Sequence, residues 1–262
     1  MNSPWIAALA ALFLWWISTG AILLLVRRAD NVGGDSRTWT VLLSLPLLVI
    51  GAAGFVDTLD NGSTVGIYIA FLSALAIWGW IEMTFLAGLI TGPNVRPCPE
   101  GIPEWERFIR AWGTVAYHEM LLVAVLIILA MLAHGAANPF GLWVFALLFA
   151  ARVSAKLNLY LGVPYINTEF LTRPLAHLPT HFRRARLNPL FPVSVTLLTF
   201  ATSCWLERLI AVPSSGEKVG YALLTALTAL ALLEHWFMVV PLPDAKLWRW
   251  MLPAPVTDET NT

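Results

Sequence analysis

Five side chains that could do chemistry sit inside otherwise apolar stretches of this chain: Glu82, His118, Glu119, Glu234 and His235. Three carboxylates and two imidazoles are the donor set of an iron centre. Helix bundles hold iron pairs with inward-facing glutamates and histidines, often as Glu-x-x-His on single helices. Here the pairs are adjacent in sequence, His118-Glu119 and Glu234-His235. Adjacent residues point about 100° apart on a helix of 3.6 residues per turn, so both members of a pair reach one site less directly. A neutral imidazole also ligates the central metal of a haem or chlorin. His235 follows Ala231 and His134 follows Ala130 at a spacing of four, and a small residue there leaves room for a flat macrocycle. The third chemistry is electrostatic. Arg152, Lys156 and Asn158 lie in a further apolar stretch. The two cations could neutralise two of the glutamates and lock several helices together, since buried charges persist when paired.

Other reaction chemistries find no support. The sequence holds no Gly-rich phosphate loop, no HExxH and no GxSxG. Five dispersed histidines do not make the many-histidine set of a membrane desaturase. An intramembrane ionisable cluster can relay protons or ions, but the inverted repeat common in transporters is not visible. Nucleic acid is excluded as a natural partner, because the 16 basic and 16 acidic residues cancel where such proteins carry a basic excess. Cys98 and Cys204 are the only cysteines, too few for a disulfide framework or a cysteine zinc site. His134 is expected in solvent, and His177 and His181 are expected at the surface of a basic loop.

The elements that must position these residues are set by composition. Of 262 residues, 58% are hydrophobic and 12% charged, against about 25% charged in an average soluble domain. Such a chain has too little charge to cover a soluble surface. A membrane span needs about 20 apolar residues, and seven stretches qualify: 5–26, 38–56, 65–90, 112–133, 140–161, 190–212 and 219–240. The expected fold is therefore all-α, a single polytopic bundle of about seven spans with a short tail over 241–262. The first stretch has no basic residue before it and Arg27-Arg28 after it, which reads as a retained span rather than a signal peptide. The second is weakest, because it contains Pro46 and Gly51.

Alternating seven spans from an outside N-terminus puts 14 of the 16 basic residues on the inner side, leaving Arg208 and Lys218 outside. The positive-inside rule selects this orientation, with the N-terminus periplasmic and the C-terminus cytoplasmic. Trp248 and Trp250 beside Arg249 read as an interfacial anchor in the tail. The alternation also sets depth. At ~1.5 Å per residue, Glu82, His118, Lys156 and Glu234 each lie ~8–12 Å from the inner end of their span. Four helices converging at one depth predict a single buried polar site.

Three stretches carry a family resemblance: KLNLYLGVPYINTEFL from Lys156, LEHWFMVVPLPDAKLWRW from Leu233, and WWISTGAILLL from Trp15. With the length and span order, they resemble the PuhE family, photosynthetic complex assembly membrane proteins of purple phototrophic bacteria. The resemblance implies an intracytoplasmic membrane location and a role around the reaction centre, its antenna or the supply of bacteriochlorophyll. It implies as partners reaction-centre or antenna proteins, or bacteriochlorophyll biosynthetic enzymes, beside membrane lipid. It carries over no catalytic residues. The alternatives it leaves are an iron enzyme acting on a bacteriochlorophyll or carotenoid precursor, and a pigment carrier with bacteriochlorophyll at His235.

Overall fold

The computed structural model describes residues 3–169 and 171–241. The expected tail anchor at Trp248–Trp250 lies outside them, as do Lys246 and Arg249. The described residues form eight α-helices: α1 Pro4–Val32, α2 Ser36–Leu43, α3 Leu45–Asp57, α4 Thr64–Leu86, α5 Glu104–Leu132, α6 Phe140–Leu161, α7 Leu190–Ala211 and α8 Ser215–Phe237. Two short 3-10 turns, Arg173–Leu175 and Leu178–His181, interrupt the loop after α6. Among the described residues there is no strand, only an isolated bridge between Val163 and Arg184. Taking α2 and α3 together, seven helices are long and apolar enough to cross a membrane, so the all-α membrane-bundle expectation holds.

The division of the second span has a clear cause. Pro46 has no N–H to donate and clashes with the preceding turn, and the helix breaks at Ser44, between α2 and α3. The carbonyl of Val41, beside that break, keeps a backbone bond from the Ser44 N–H at 3.2 Å. It accepts from the Ser44 hydroxyl at 2.7 Å and from the Trp80 indole of α4 at 3.4 Å. Neighbours thus satisfy the freed backbone, as a break at membrane depth requires.

The central element is α4, which packs against α1, α3, α5, α6 and α8. More than half of its apolar stretch is buried, against about a fifth for α1, α2 and α3 taken together, α6 and α7. Ile67, Phe71, Ala74 and Leu75 of α4 meet Leu122 of α5, Phe145 of α6 and Leu223, Leu224 and Leu227 of α8 in one core. Helices in lipid gain little from hydrophobic burial and associate through close packing at small residues. Accordingly, a Cβ at Gly51 would sit 3.0 Å from Ala76 and 3.1 Å from the Ser73 carbonyl. One at Gly220 would lie 2.2 Å from the Phe140 ring. The outer faces of α1, α3, α5 and α7 remain apolar and exposed, the surface a bilayer would cover.

Some limits differ from the sequence expectation. Helix α4 stops at Leu86, because Gly88 turns with φ +77°, so Leu89 and Ile90 belong to the following loop. Helix α5 starts eight residues early at Glu104. Pro103 precedes it, and Glu104 and Glu106 place negative charge in its first turn, which favours a helix N-terminus. Loops then segregate to two ends. At one, Asn138 bonds the carbonyls of Leu59 and Asn61. At the other, the arginine-rich loops interlock: Arg173 N–H donates to Asp30, Thr172 to the Leu86 carbonyl, and Cys98 N–H to Thr180.

Candidate functional site

Two polar clusters flank α6, and the helical period decides which residue joins which. Arg152 and Lys156 are one turn apart and share a face. Ser154 and Asn158 are likewise one turn apart, on the opposite face. The first face looks toward α4 and α5. An Arg152 guanidinium nitrogen lies 2.9 Å from Glu82 Oε2 on α4. Lys156 Nζ donates directly to Glu119 Oε1 on α5. Glu82 Oε1 sits 3.6 Å from His118 Nε2, also on α5. Two carboxylates and two cations thus cancel within the bundle. Phe85 closes the group: its ring centroid is 4.4 Å from that of His118, and Lys156 Nζ is 5.2 Å from it. His118 is wholly buried, and Glu82 and Glu119 nearly so. Glu82 Oε1 and both His118 nitrogens make no hydrogen bond among the described residues.

The second face looks toward α7 and α8. His235 Nδ1 lies 2.8 Å from the Ala231 carbonyl. A carbonyl only accepts, so Nδ1 carries the proton, and Nε2 accepts from the Ser154 hydroxyl at 2.9 Å. Asn158 donates to the Ser154 carbonyl and, at 3.0 Å, to Ser194 of α7. Asn188 donates to the Asn158 side-chain oxygen at 3.1 Å and to the Gly162 carbonyl at 2.7 Å. Its own oxygen accepts from the N–H groups of Leu190 and Phe191, capping α7. Between the clusters, Glu234 is half-buried and within electrostatic reach of Arg152.

Depth alone grouped Glu82, His118, Glu119, Glu234 and His235. The structure keeps the first three together with Arg152 and Lys156. It places His235 with Ser154 and Asn158 on the other side of α6. Among the described residues, no three His, Cys, Asp or Glu side chains are placed to hold a metal ion. Of the three carboxylates, Glu82 is engaged by Arg152 and Glu119 by Lys156. Both His235 nitrogens are engaged, by the Ser154 hydroxyl and the Ala231 carbonyl, and the ring is buried.

The arginine-rich end corrects one expectation. His177 and His181 are buried rather than at the surface. His181 Nε2 lies 3.2 Å from the Arg96 carbonyl, and Arg107 of α5 donates to the carbonyls of His181 and Tyr160. Burial pushes both imidazoles below their ordinary pKa, and for His181 the positive charges of Arg107 and Arg110 add to the effect. His134 is exposed at the other end, as expected.

Residues 1–259 match the model of a protein family of unknown function, DUF3623. The chain belongs to that family. It is 55% identical over 262 residues to an uncharacterised 30.4 kDa protein in the puhA 5′ region of Rhodobacter capsulatus, an alignment covering all of this chain and 95% of the relative. No solved structure matches it. For this DUF3623 chain, sequence reasoning missed Ser154, Asn188, Ser194 and Phe85. Uncharged hydroxyls and amides are common in apolar helices, and their only signal was Asn158 standing one turn from Ser154.

Proposed function

We propose that this protein is a non-enzymatic membrane factor for assembly or modulation of the bacterial photosynthetic reaction centre–antenna complex, or for bacteriochlorophyll supply. This is the role implied by the PuhE resemblance. The observation that carries it is the relative in the puhA 5′ region, which matches this chain from end to end. The geometry supports a non-catalytic reading. Two of its buried carboxylates are each neutralised by a cation, as Glu82–Arg152 and Glu119–Lys156. The protein sits in the cytoplasmic or intracytoplasmic membrane with its arginine-rich end inward, following the positive-inside rule. Its partners are reaction-centre or antenna proteins, or bacteriochlorophyll biosynthetic enzymes.

The test is deletion of the gene in a phototroph that carries it, followed by absorbance of isolated membranes. The expected result is a reduced content of core complex or bacteriochlorophyll, restored by the wild-type gene. Unchanged pigment and complex levels would overturn the proposal. So would stoichiometric iron in the purified protein that is lost in H118A and H235A, which would assign an enzyme instead.

A further inference from the structure

A groove at the arginine-rich end combines positive charge with an exposed apolar wall. Val95 and Arg96 of the loop after α4 form one side, and Ile109, Arg110 and Gly113 of α5 form the other. The loop is riveted to the helix. Asn94 N–H donates to the Gly113 carbonyl at 3.0 Å, and its side chain donates to the Arg110 carbonyl at 2.9 Å. Thr91 accepts from the His118 N–H at 2.9 Å. The backbone of Arg96 is held from both sides, its N–H by Asn94 Oδ1 at 3.1 Å and its carbonyl by His181. Arg96 and Arg110, fourteen residues apart in sequence, thereby line one groove.

The charges there are unequal in kind. Arg110 is oriented by Glu106, which takes its Nε at 2.8 Å and Nη2 at 2.7 Å, leaving Nη1 unengaged by that carboxylate. Arg96 is exposed and takes part in none of the ion pairs among the described residues. The groove therefore keeps a net positive charge. Beside it, Val95, Ile109 and Trp112 are 64%, 58% and 50% exposed. Trp105, Ile109 and Trp112 share one face of α5 by their spacing of four and three. Exposed tryptophan beside arginine at the end of an apolar helix marks the headgroup level of a bilayer.

We infer that this groove binds an anionic phospholipid, its phosphate between Arg96 and Arg110 and its chains along Ile109 and Trp112. A soluble anion would use the charge but not the apolar wall, and a neutral lipid would use only the wall. The occupant that uses both is an anionic lipid.

The test reconstitutes the full chain in bilayers of phosphatidylcholine with phosphatidylglycerol, then measures by mass spectrometry the lipid retained on extraction. Wild-type protein enriches phosphatidylglycerol above its bulk fraction. R96Q weakens the preference roughly fivefold, the worth of one cation at a membrane surface. R96K retains it, and V95E abolishes it by placing a carboxylate in the groove at an exposed position. R186Q, which removes an exposed charge at the same end outside the groove, leaves it unchanged. Glycerol phosphate does not displace the lipid. Equal retention of the two lipids by wild type, an equal loss in R186Q and R96Q, or displacement by glycerol phosphate would each overturn the assignment.

Discussion

Arg152 of α6 holds its guanidinium 2.9 Å from the Glu82 carboxylate of α4, while Lys156, one turn on, meets Glu119 of α5. Three helices are tied by two crossed ion pairs. Removing one partner of a buried pair strands the other charge, at roughly 3–5 kcal/mol when both are fully enclosed. The Arg152 side chain is 39% exposed and that of Lys156 23%. E82L and R152L are therefore expected near the lower end, about 3 kcal/mol or less, and K156L above them. The double variant E82L/R152L replaces the pair by apolar volume and should recover most of the loss. Thermal unfolding in detergent checks this order. A double variant no more stable than either single one would show that the pair does not act as a unit.

How much of this was legible follows from what a helix does and does not specify. Rise per residue set the depth of Glu82, His118, Lys156 and Glu234, and charge sign allowed Arg152 and Lys156 to be paired with glutamates. Azimuth was the missing coordinate. The angle of about 100° between neighbours turns His235 to Ser154 while Glu234 stays near Arg152, but which way α8 faces depends on tertiary packing. The break at Ser44 was signalled by Pro46. The burial of His177 and His181 was not, because a loop rich in arginine and proline carries no periodic pattern to show what it folds beneath.

The buried loop histidines make the arginine-rich end sensitive to acid. Burial lowers the pKa of His177 and His181, so the unfolded or opened loop binds more protons than the closed one. Stability then rises with pH. The contribution is complete above the ordinary histidine pKa of about 6.5 and is lost as pH falls through it toward the lowered folded values. After correction for the intrinsic rate, which slows as pH falls, the protection of residues 171–185 against hydrogen exchange should drop between neutral pH and pH about 5.5. The effect should shrink in H177Q/H181Q. Exchange that follows the intrinsic rate alone in the wild type would contradict it.

Asn188 bears on the other side of α6. Its amide joins Gly162 and Asn158 to the first turn of α7. N188A leaves the N–H groups of Leu190 and Phe191 and the Asn158 oxygen without these partners. Loss of a cap and of buried hydrogen bonds is each worth about 1 kcal/mol or more, so a destabilisation of about 2–3 kcal/mol is expected. N188D keeps the capping oxygen and should recover the α7 part only. Thermal melts of the two variants separate the contributions, and identical melts would remove the capping role.

Gly92 is the strictest steric requirement at the arginine-rich end. A Cβ there would lie 2.0 Å from the Gly113 carbonyl oxygen and 2.8 Å from the Thr114 carbonyl carbon. Both are backbone atoms of a helix, with no rotamer to yield. G92A must therefore push the loop away from α5, breaking the Asn94 bonds to Gly113 and Arg110 and the Thr91 bond to His118. Overpacking of this kind costs about 3 kcal/mol or more when the obstacle is rigid. The displacement also carries Arg96 away from Arg110. G92A should thus lose both thermal stability and phosphatidylglycerol retention, whereas G101A should lose neither the loop contacts nor the lipid preference. Gly101 has open space around it, although its φ of +73° adds a cost of about 1 kcal/mol. Lipid retention in G92A equal to wild type would show that the loop and helix need not be held together to form the groove.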